Sequence, residues 1–265
     1  MTGPRNRLHL LPCLDSPELA AARRQELNIP RDVAAALGRS AVVAAGAGYY
    51  VNGVGETVDW RDRVDAACAN KRSIRPGGPL PAANPVAHAE TRAQITNETT
   101  LGASRRLVER GTRPLALNFA NGVSPGGGFL SGARAQEEVL CRSSALYPTL
   151  VGDPMYEEHR QRPTPDSTEW AIYSPDVPVF RTDDGTALPK PWLLSFITCV
   201  APYVPAIGQP QAGDLLRRRI HRVLEIARAY GHSSLVLGAR GCGAFENDPH
   251  RTAVDFRQIL KGDND

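Results

Sequence analysis

Lysine is nearly missing from this chain: it occurs only at positions 71, 190 and 261, against 28 arginines in 265 residues. With a net charge of only +3 and no dense block of basic residues, there is no stripe that would track a nucleic-acid backbone. The arginines can still act as bidentate partners for individual phosphates. Cysteine is also sparse and unpaired in pattern. The five thiols, at 13, 68, 141, 199 and 242, are odd in number and show no CxxC spacing. That excludes a zinc ribbon and a disulfide framework, and fits a reducing compartment. No apolar run approaches the roughly 20 residues a membrane helix needs. The opening MTGPRNRLHLLPCLDSPELAAARR has a five-residue apolar core broken by proline, unlike a cleaved secretory signal. A cytoplasmic protein is expected, with no membrane contact.

Several catalytic signatures are absent as well. No GxSxG elbow marks a serine nucleophile, and no glycine turn runs into Gly-Lys-Ser/Thr to form a Walker loop. The six histidines are dispersed, and Asp248 and Asp255 alone do not make a metal site. No metal is expected.

Hydrophobic residues make up 42% of the chain and charged residues 22%, enough for a full core in a chain of this length. No repeat and no flexible linker divides it. Residues 16–38 begin with a serine cap and an early proline, and predict two short helices split at Pro30 and ending at Gly38. The next segment, AVVAAGAGYYVNGVGETVDW, reads as a hairpin around Asn52-Gly53, and 73–89 as an irregular Pro/Gly connection. Gly46-Ala47-Gly48-Tyr49-Tyr50-Val51 lacks the third glycine of a dinucleotide fingerprint and belongs to the hairpin. Beyond residue 90, strands and helices alternate: a helix in LGASRRLVER, strands in RPLALNFAN, WAIYSPDVPVF, WLLSFITCVAP and SSLVLGA, a helix over 213–231, and a closing helix in PHRTAVDFRQIL. The pattern predicts one α/β domain with a mixed sheet between helices and an N-terminal extension.

Two segments share one design of strand, glycine loop and helix: LALNFANGVSPGGGFLSGARAQEEV and LVLGARGCGAFENDPHRTAVDF. In open α/β sheets, ligands lie beyond the carboxyl ends of strands, where such loops meet. Glycines let the backbone approach phosphate, and helix N-termini offer unpaired N–H groups. The pair suits a diphosphate clamp, although a glycine turn is often structural. Glu137 and Glu138 are open to two readings: acids favoured by a helix start, or acids aimed at a ligand. Adjacent helix residues point about 100° apart, so the two would reach different atoms rather than opposite faces of a sugar. Cys242 reads as a small residue packed under its loop more readily than as a thiolate nucleophile.

Gly126-Gly127-Gly128, seven intervening residues and Gln136-Glu137-Glu138 match the GGG-x(6–8)-QEE signature of poly(ADP-ribose) glycohydrolases. TNETTL, LNFAN, EEVLCRSSALYP, YSPDVPVFR, SFITCVAP and GARGCGAFENDP follow in order over about 90–260, and the chain resembles the compact bacterial-type branch. The resemblance implies a macrodomain fold that binds ADP-ribose and hydrolyses the ribose–ribose O-glycosidic bonds of poly(ADP-ribose), with no cofactor. It implies that Gly126, Gly127 and Gly128 approach the distal ribose and diphosphate. Gly241, Cys242, Gly243, Ala244 and Phe245 would wrap the diphosphate, with Phe245 against the ribose. Glu138 would be the general acid, protonated in a shielded pocket. Glu137 would hold ribose hydroxyls, and Gln136 would support the loop. Asn118 and Asn121 are candidates for ribose contacts, and Glu98 for adenine contact or for a simple helix-start acid. Residues 1–89 would form an accessory region before a core of 90–265. ADP-ribosylated proteins would carry the substrate, the chain would act as a monomer, and a closed adenosine end would favour cleavage from chain ends. A non-catalytic ADP-ribose reader and a hydrolase of protein-linked ADP-ribose are the alternatives.

Overall fold

The computed structural model describes residues 7–82 and 90–262. In chain order its elements are β1 (Arg7–Leu10), α1 (Pro17–Leu27), α2 (Arg31–Ala47), β2 (Tyr49–Val51), β3 (Thr57–Asp59), α3 (Arg61–Asn70), β4 (Arg72–Ile74) and β5 (Glu90–Ala93). There follow α4 (Thr100–Glu109), β6 (Pro114–Ala120), a 3-10 turn (Phe129–Ser131), α5 (Gln136–Ser143), α6 (Leu146–Leu150), α7 (Pro154–Arg160), β7 (Ala171–Arg181) and β8 (Ala187–Val200). The chain closes with α8 (Val204–Ile207), α9 (Gln211–Ala229), β9 (Ser234–Val236) and α10 (Pro249–Lys261).

The main sheet has the order β4-β7-β8-β6-β9. Its β6 strand runs parallel to both β8 and β9, while β7 is antiparallel to its two neighbours. The near-continuous apolar run of β6 is what a strand covered on both faces requires. Strand alternation then sorts side chains between two layers. Ala116 and Ala120 of β6 and Leu194 and Phe196 of β8 join Leu140 and Leu146 of α5 and α6 in one cluster. On the opposite face, Leu115, Leu117, Ile197 and Cys199 pack on Val223, Ile226 and Ala227 of α9. The apolar stripe of α9 buries Leu216, Ile220, Val223 and Ala227 at helical spacing. A mixed α/β sheet between helices is therefore what the chain builds.

The N-terminal part departs from expectation. The hairpin exists, but only as β2 and β3 around Asn52-Gly53. Residues 41–47, read as part of it, continue α2 instead, which ends only at Gly48 in the left-handed conformation. Gly38 therefore lies inside the helix and is not its stop. Its missing side chain has a packing reason: an ideal Cβ there would sit 2.6 Å from the carbonyl oxygen of Phe129. The connection over 73–89 is partly regular too, because Ser73 and Ile74 belong to β4, the edge strand beside β7. Positions 83–89 of that connection lie outside the described residues. Ala41, Ala44, Trp60, Val64 and Ala67 enter the same core cluster as Leu140 of α5 and Leu146 of α6. Residues 31–74 are thus built into the domain core.

Alanine at position 38 offers a sharp check. Helix propensity alone would favour it by about 0.8–1.0 kcal/mol. Because the added methyl meets backbone, we expect Gly38→Ala to destabilise instead, by roughly 1–3 kcal/mol in denaturant unfolding. A stabilised variant would show that α2 does not press on the Phe129 turn.

Candidate active site

The site begins where β9 ends. Strand β9 pairs with β6 only as far as Ala116, leaving the rest of that edge of β6 without a strand partner. The Gln136 side chain fills the gap. Its Oε1 accepts from Phe119 N–H at 2.9 Å, and its Nε2 donates to Leu117 carbonyl at 2.7 Å and Thr100 Oγ1 at 3.1 Å. One side-chain amide therefore continues the ladder and pins the first residue of α5 to the sheet. A support role for Gln136 fits this geometry.

From that anchor, the next two residues enter the interior. Glu137 is 3% exposed and Glu138 8%. Glu137 Oε1 accepts from Asn118 Nδ2 at 3.2 Å, and Oε2 from Asn121 N–H at 2.6 Å. Asn118 pairs across the ladder with Thr198, whose hydroxyl takes a second bond from Asn118 Nδ2 at 3.2 Å. Asn118 Oδ1 is buried without a partner among the described residues. Glu138 Oε1 accepts from Gly128 N–H at 2.9 Å, which is the one hydrogen bond to its carboxyl among the described residues.

The glycine loop lies directly against these acids. Gly127 has φ of 57°, and a Cβ built there would be 2.4 Å from Glu138 Oε1 and 3.2 Å from Glu137 Oε2. Both carboxyls thus approach one point from the same side. The loop is held in shape by Asn121 Oδ1, which accepts from Val123 and Ser124 N–H at 2.9 Å each. The Asn121 oxygen therefore shapes the loop, and its backbone N–H holds Glu137.

Burial pushes the Glu137 carboxyl up to about 8; hydrogen bonds from Asn121 and Asn118 oppose this, and the charge of Glu138 adds to it. Glu137 is the deeper of the two acids.

The second glycine loop meets the first at the end of β8. A Cβ on Gly122 would lie 3.2 Å from Val200, and one on Gly241 2.6 Å from Ala201. Asn247 Nδ2 ties this second loop to Pro202 carbonyl at 2.8 Å. Gly243 and Ala244 are exposed. Their backbone N–H groups, with that of Phe245, make no hydrogen bond within the described residues. Phe245 is half-buried, edge-on to Tyr203 at 5.7 Å. Cys242 Sγ faces Thr252 Oγ1 at 3.6 Å, a packed position under the loop.

Glu98 stands apart from this constellation. Arg106 grips both of its carboxylate oxygens, one at 2.8 Å, and that pairing holds its carboxyl below the usual range. The ion pair favours its reading as a structural acid. Sequence reasoning passed over four further polar groups: Thr198, Arg142, Arg219 and Arg240. Arg142 lies one helical turn after Glu138, 1% exposed, with all three guanidinium nitrogens unpartnered among the described residues. Its i+4 spacing from Glu138 was the available signal.

The N-terminal region braces the segment between the glycines and the acids. Arg31 donates to Ser131 carbonyl at 3.0 Å and Arg39 to Leu130 carbonyl at 3.3 Å. Arg134 in turn donates to Ile29 carbonyl at 3.0 Å. Beside this brace lies an open depression of about 810 Å³, lined by Ala20, Arg23, Arg24, Asn28, Asn97 and Arg134. Neither Glu137 nor Glu138 lines it.

A carboxyl whose folded-state value exceeds its unfolded one costs no stability below the unfolded value, and costs progressively more as pH rises toward the folded one. For Glu137 the window runs from the usual 4.5 to about 8. Glu137→Gln removes that penalty, so its stability should gain on the wild type by roughly one to a few kcal/mol as pH rises across the window. Thermal melts at several pH values measure the difference. A gap constant with pH would show that Glu137 ionises freely in the fold.

With this geometry in place, comparison with known proteins is informative. Residues 38–182 match the family described as microbial-type PARG, catalytic domain. The fold superposes on poly(ADP-ribose) glycohydrolase from Thermomonospora curvata with a TM-score of 0.80 and 42% identity, covering 86% of this chain and 87% of that one. The same enzyme bound to the inhibitor ADP-HPD matches at 0.79 and 40%, covering 86% of each chain. Poly(ADP-ribose) glycohydrolase from Deinococcus radiodurans in complex with ADP-ribose matches at 0.66 and 38%, covering 75% of this chain and 84% of that one. A search among curated proteins finds no match. Two buried acids under a glycine loop, on a fold shared over most of its length at about 40% identity, place this chain in the microbial-type poly(ADP-ribose) glycohydrolase family.

Proposed function

We propose that Glu138 is the proton donor for cleavage of the ribose–ribose O-glycosidic bond, with Glu137 holding the sugar and the two glycine loops gripping the diphosphate. The chain is a poly(ADP-ribose) glycohydrolase, an enzyme that binds ADP-ribose and hydrolyses its polymer. The observation that carries the assignment of roles is the position of Gly127 against both carboxyls. Both oxygens of Glu137 are engaged by Asn118 and Asn121, whereas Glu138 is held at one oxygen only and is the more exposed acid. The freer acid suits proton delivery, and the fixed one suits orientation.

In this mechanism Glu138 gives its proton to the departing ribose oxygen as the C1″–O bond breaks and an oxocarbenium-like centre develops. Diphosphate charge on the unpaired N–H groups of Gly243, Ala244 and Phe245 would lie on the same side and stabilise it. The Glu138 carboxylate then takes a proton from water, whose oxygen adds to C1″ and gives free ADP-ribose. The mixed sheet with loops at the ends of β6, β8 and β9 is read as a macrodomain. Cleavage from chain ends is the finer proposal. ADP-ribosylated proteins would be the carriers of substrate, acted on by a cytoplasmic monomer. Within the described residues no helix is long and apolar enough to cross a membrane.

Incubation with labelled poly(ADP-ribose) tests the roles. Wild type should release monomeric ADP-ribose, and Glu138→Gln should keep affinity for ADP-ribose while losing on the order of 10²–10⁴-fold in turnover. Full activity in that variant would remove Glu138 from the chemistry, and binding without turnover by the wild type would leave a reader. Early products longer than one unit would replace chain-end with internal cleavage.

Gly127→Ala extends the test to the loop. Its methyl would occupy the point both acids share, so turnover should fall at least about tenfold, with an unfolding loss near the roughly 1–2 kcal/mol of a left-handed alanine. Unchanged turnover would mean that the substrate does not use that point.

A further inference from the structure

The two glycine loops rest on two buried cations. Arg219, from α9, is fully buried, and Arg240, within the second loop, is 1% exposed. Arg219 Nη1 donates to Val200 carbonyl at 3.0 Å and its Nη2 to Asp166 carbonyl. Arg240 Nη1 donates to Cys199 carbonyl at 3.4 Å. Both guanidinium groups therefore sit on consecutive carbonyls at the end of β8, where Gly122 and Gly241 converge. Arg219 Nε and Arg240 Nε and Nη2 are buried with no partner among the described residues.

Among the described residues neither guanidinium group makes a salt bridge, and the carboxylates that favour the charge of Arg219 from nearby, Asp166 and Glu169, are each taken by another arginine. Asp166 is taken bidentately by Arg162, at 2.6 and 2.5 Å, and Glu169 pairs with Arg218 at 3.0 Å. His159, which also packs near Gly122, is held well down in pKa by its burial, to about 4, and so adds no charge. Burial lowers Arg219 to about 10, which leaves it charged at neutral pH. Buried charges left without a countercharge are costly, and a protein keeps them where something else supplies one.

We propose that Arg219 and Arg240 form a positive floor beneath the two loops, acting as positioning residues whose missing countercharge is the diphosphate of ADP-ribose. The proposal rests on the reading of those loops as the diphosphate clamp. The loop amides make the direct contacts, and the two guanidinium groups supply field through a low-dielectric layer that screens little. A floor of this kind acts on the anion in both ground and transition states, so it governs affinity more than turnover.

Calorimetric titration with ADP-ribose of wild type, Arg240→Met, Arg240→Lys, Arg219→Met and Arg219→Lys tests this, together with unliganded melts and turnover at saturating polymer. The methionine variants should bind ADP-ribose about tenfold or more weakly, the scale of one lost charge interaction at short range. The lysine variants should stay within about threefold of wild type, because they keep the charge and lose only the fork. Unliganded melting temperatures of the methionine variants should hold or rise, since buried charge has been replaced by apolar volume. Turnover at saturating polymer should fall by a smaller factor than affinity does. Methionine variants that bind like wild type, or lysine variants that lose as much as methionine, would overturn the floor. If Arg219→Met does not fold, Arg240→Met decides. Failure of the wild type itself to bind ADP-ribose would instead overturn the reading of the clamp.

Discussion

The site depends on a side-chain amide standing in for a strand. Where β9 stops at Val236, the edge of β6 would present an unpaired carbonyl at Leu117 and an unpaired N–H at Phe119. Gln136 satisfies both in one residue. A buried backbone group left without a partner costs about 1–3 kcal/mol, so two of them set the position of the α5 N-terminus firmly. Everything that follows inherits that position. The next residue turns into the sheet toward Asn118 and Thr198, the one after it turns toward the glycine loop, and the loop must be glycine where it crosses them.

Charge is divided across the cleft in consequence. Two acids lie at the end of β6, one of them holding its proton to about pH 8. Two arginines lie at the end of β8, bonded among the described residues only to carbonyls. The acids stand against the first loop.

Local signals exposed much of this in advance. The apolar run of β6, the glycine triplet and the first turn of α5 are contiguous in sequence, so their spacing survives folding. Asn118 and Asn121 follow from being on or just after that strand. What stayed hidden is tertiary. Gly38 looks like a helix stop because glycine usually is one, yet it is a packing contact with Phe129, 91 positions away. Thr198 pairs with Asn118 only through strand register. Arg142, Arg219 and Arg240 look like surface residues because arginine is almost never fully buried without a partner. Nothing in the sequence around them marks the exception.

The same reasoning assigns a role to the N-terminal region. The seven residues between the triplet and Gln136 contain a 3-10 turn and a left-handed glycine at Gly132, which is a short, weak framework by itself. Arg31, Arg39 and the backbone of Ile29 tie it down from outside, and Gly38 lets α2 come within contact distance of its first carbonyl. Spacing in sequence brings glycines and acids within reach of one another. Packing by α2 converts that reach into a fixed distance, because the intervening turn has no room to relax away from the carboxyls. The region that carries no recognisable motif is therefore what makes the motif rigid.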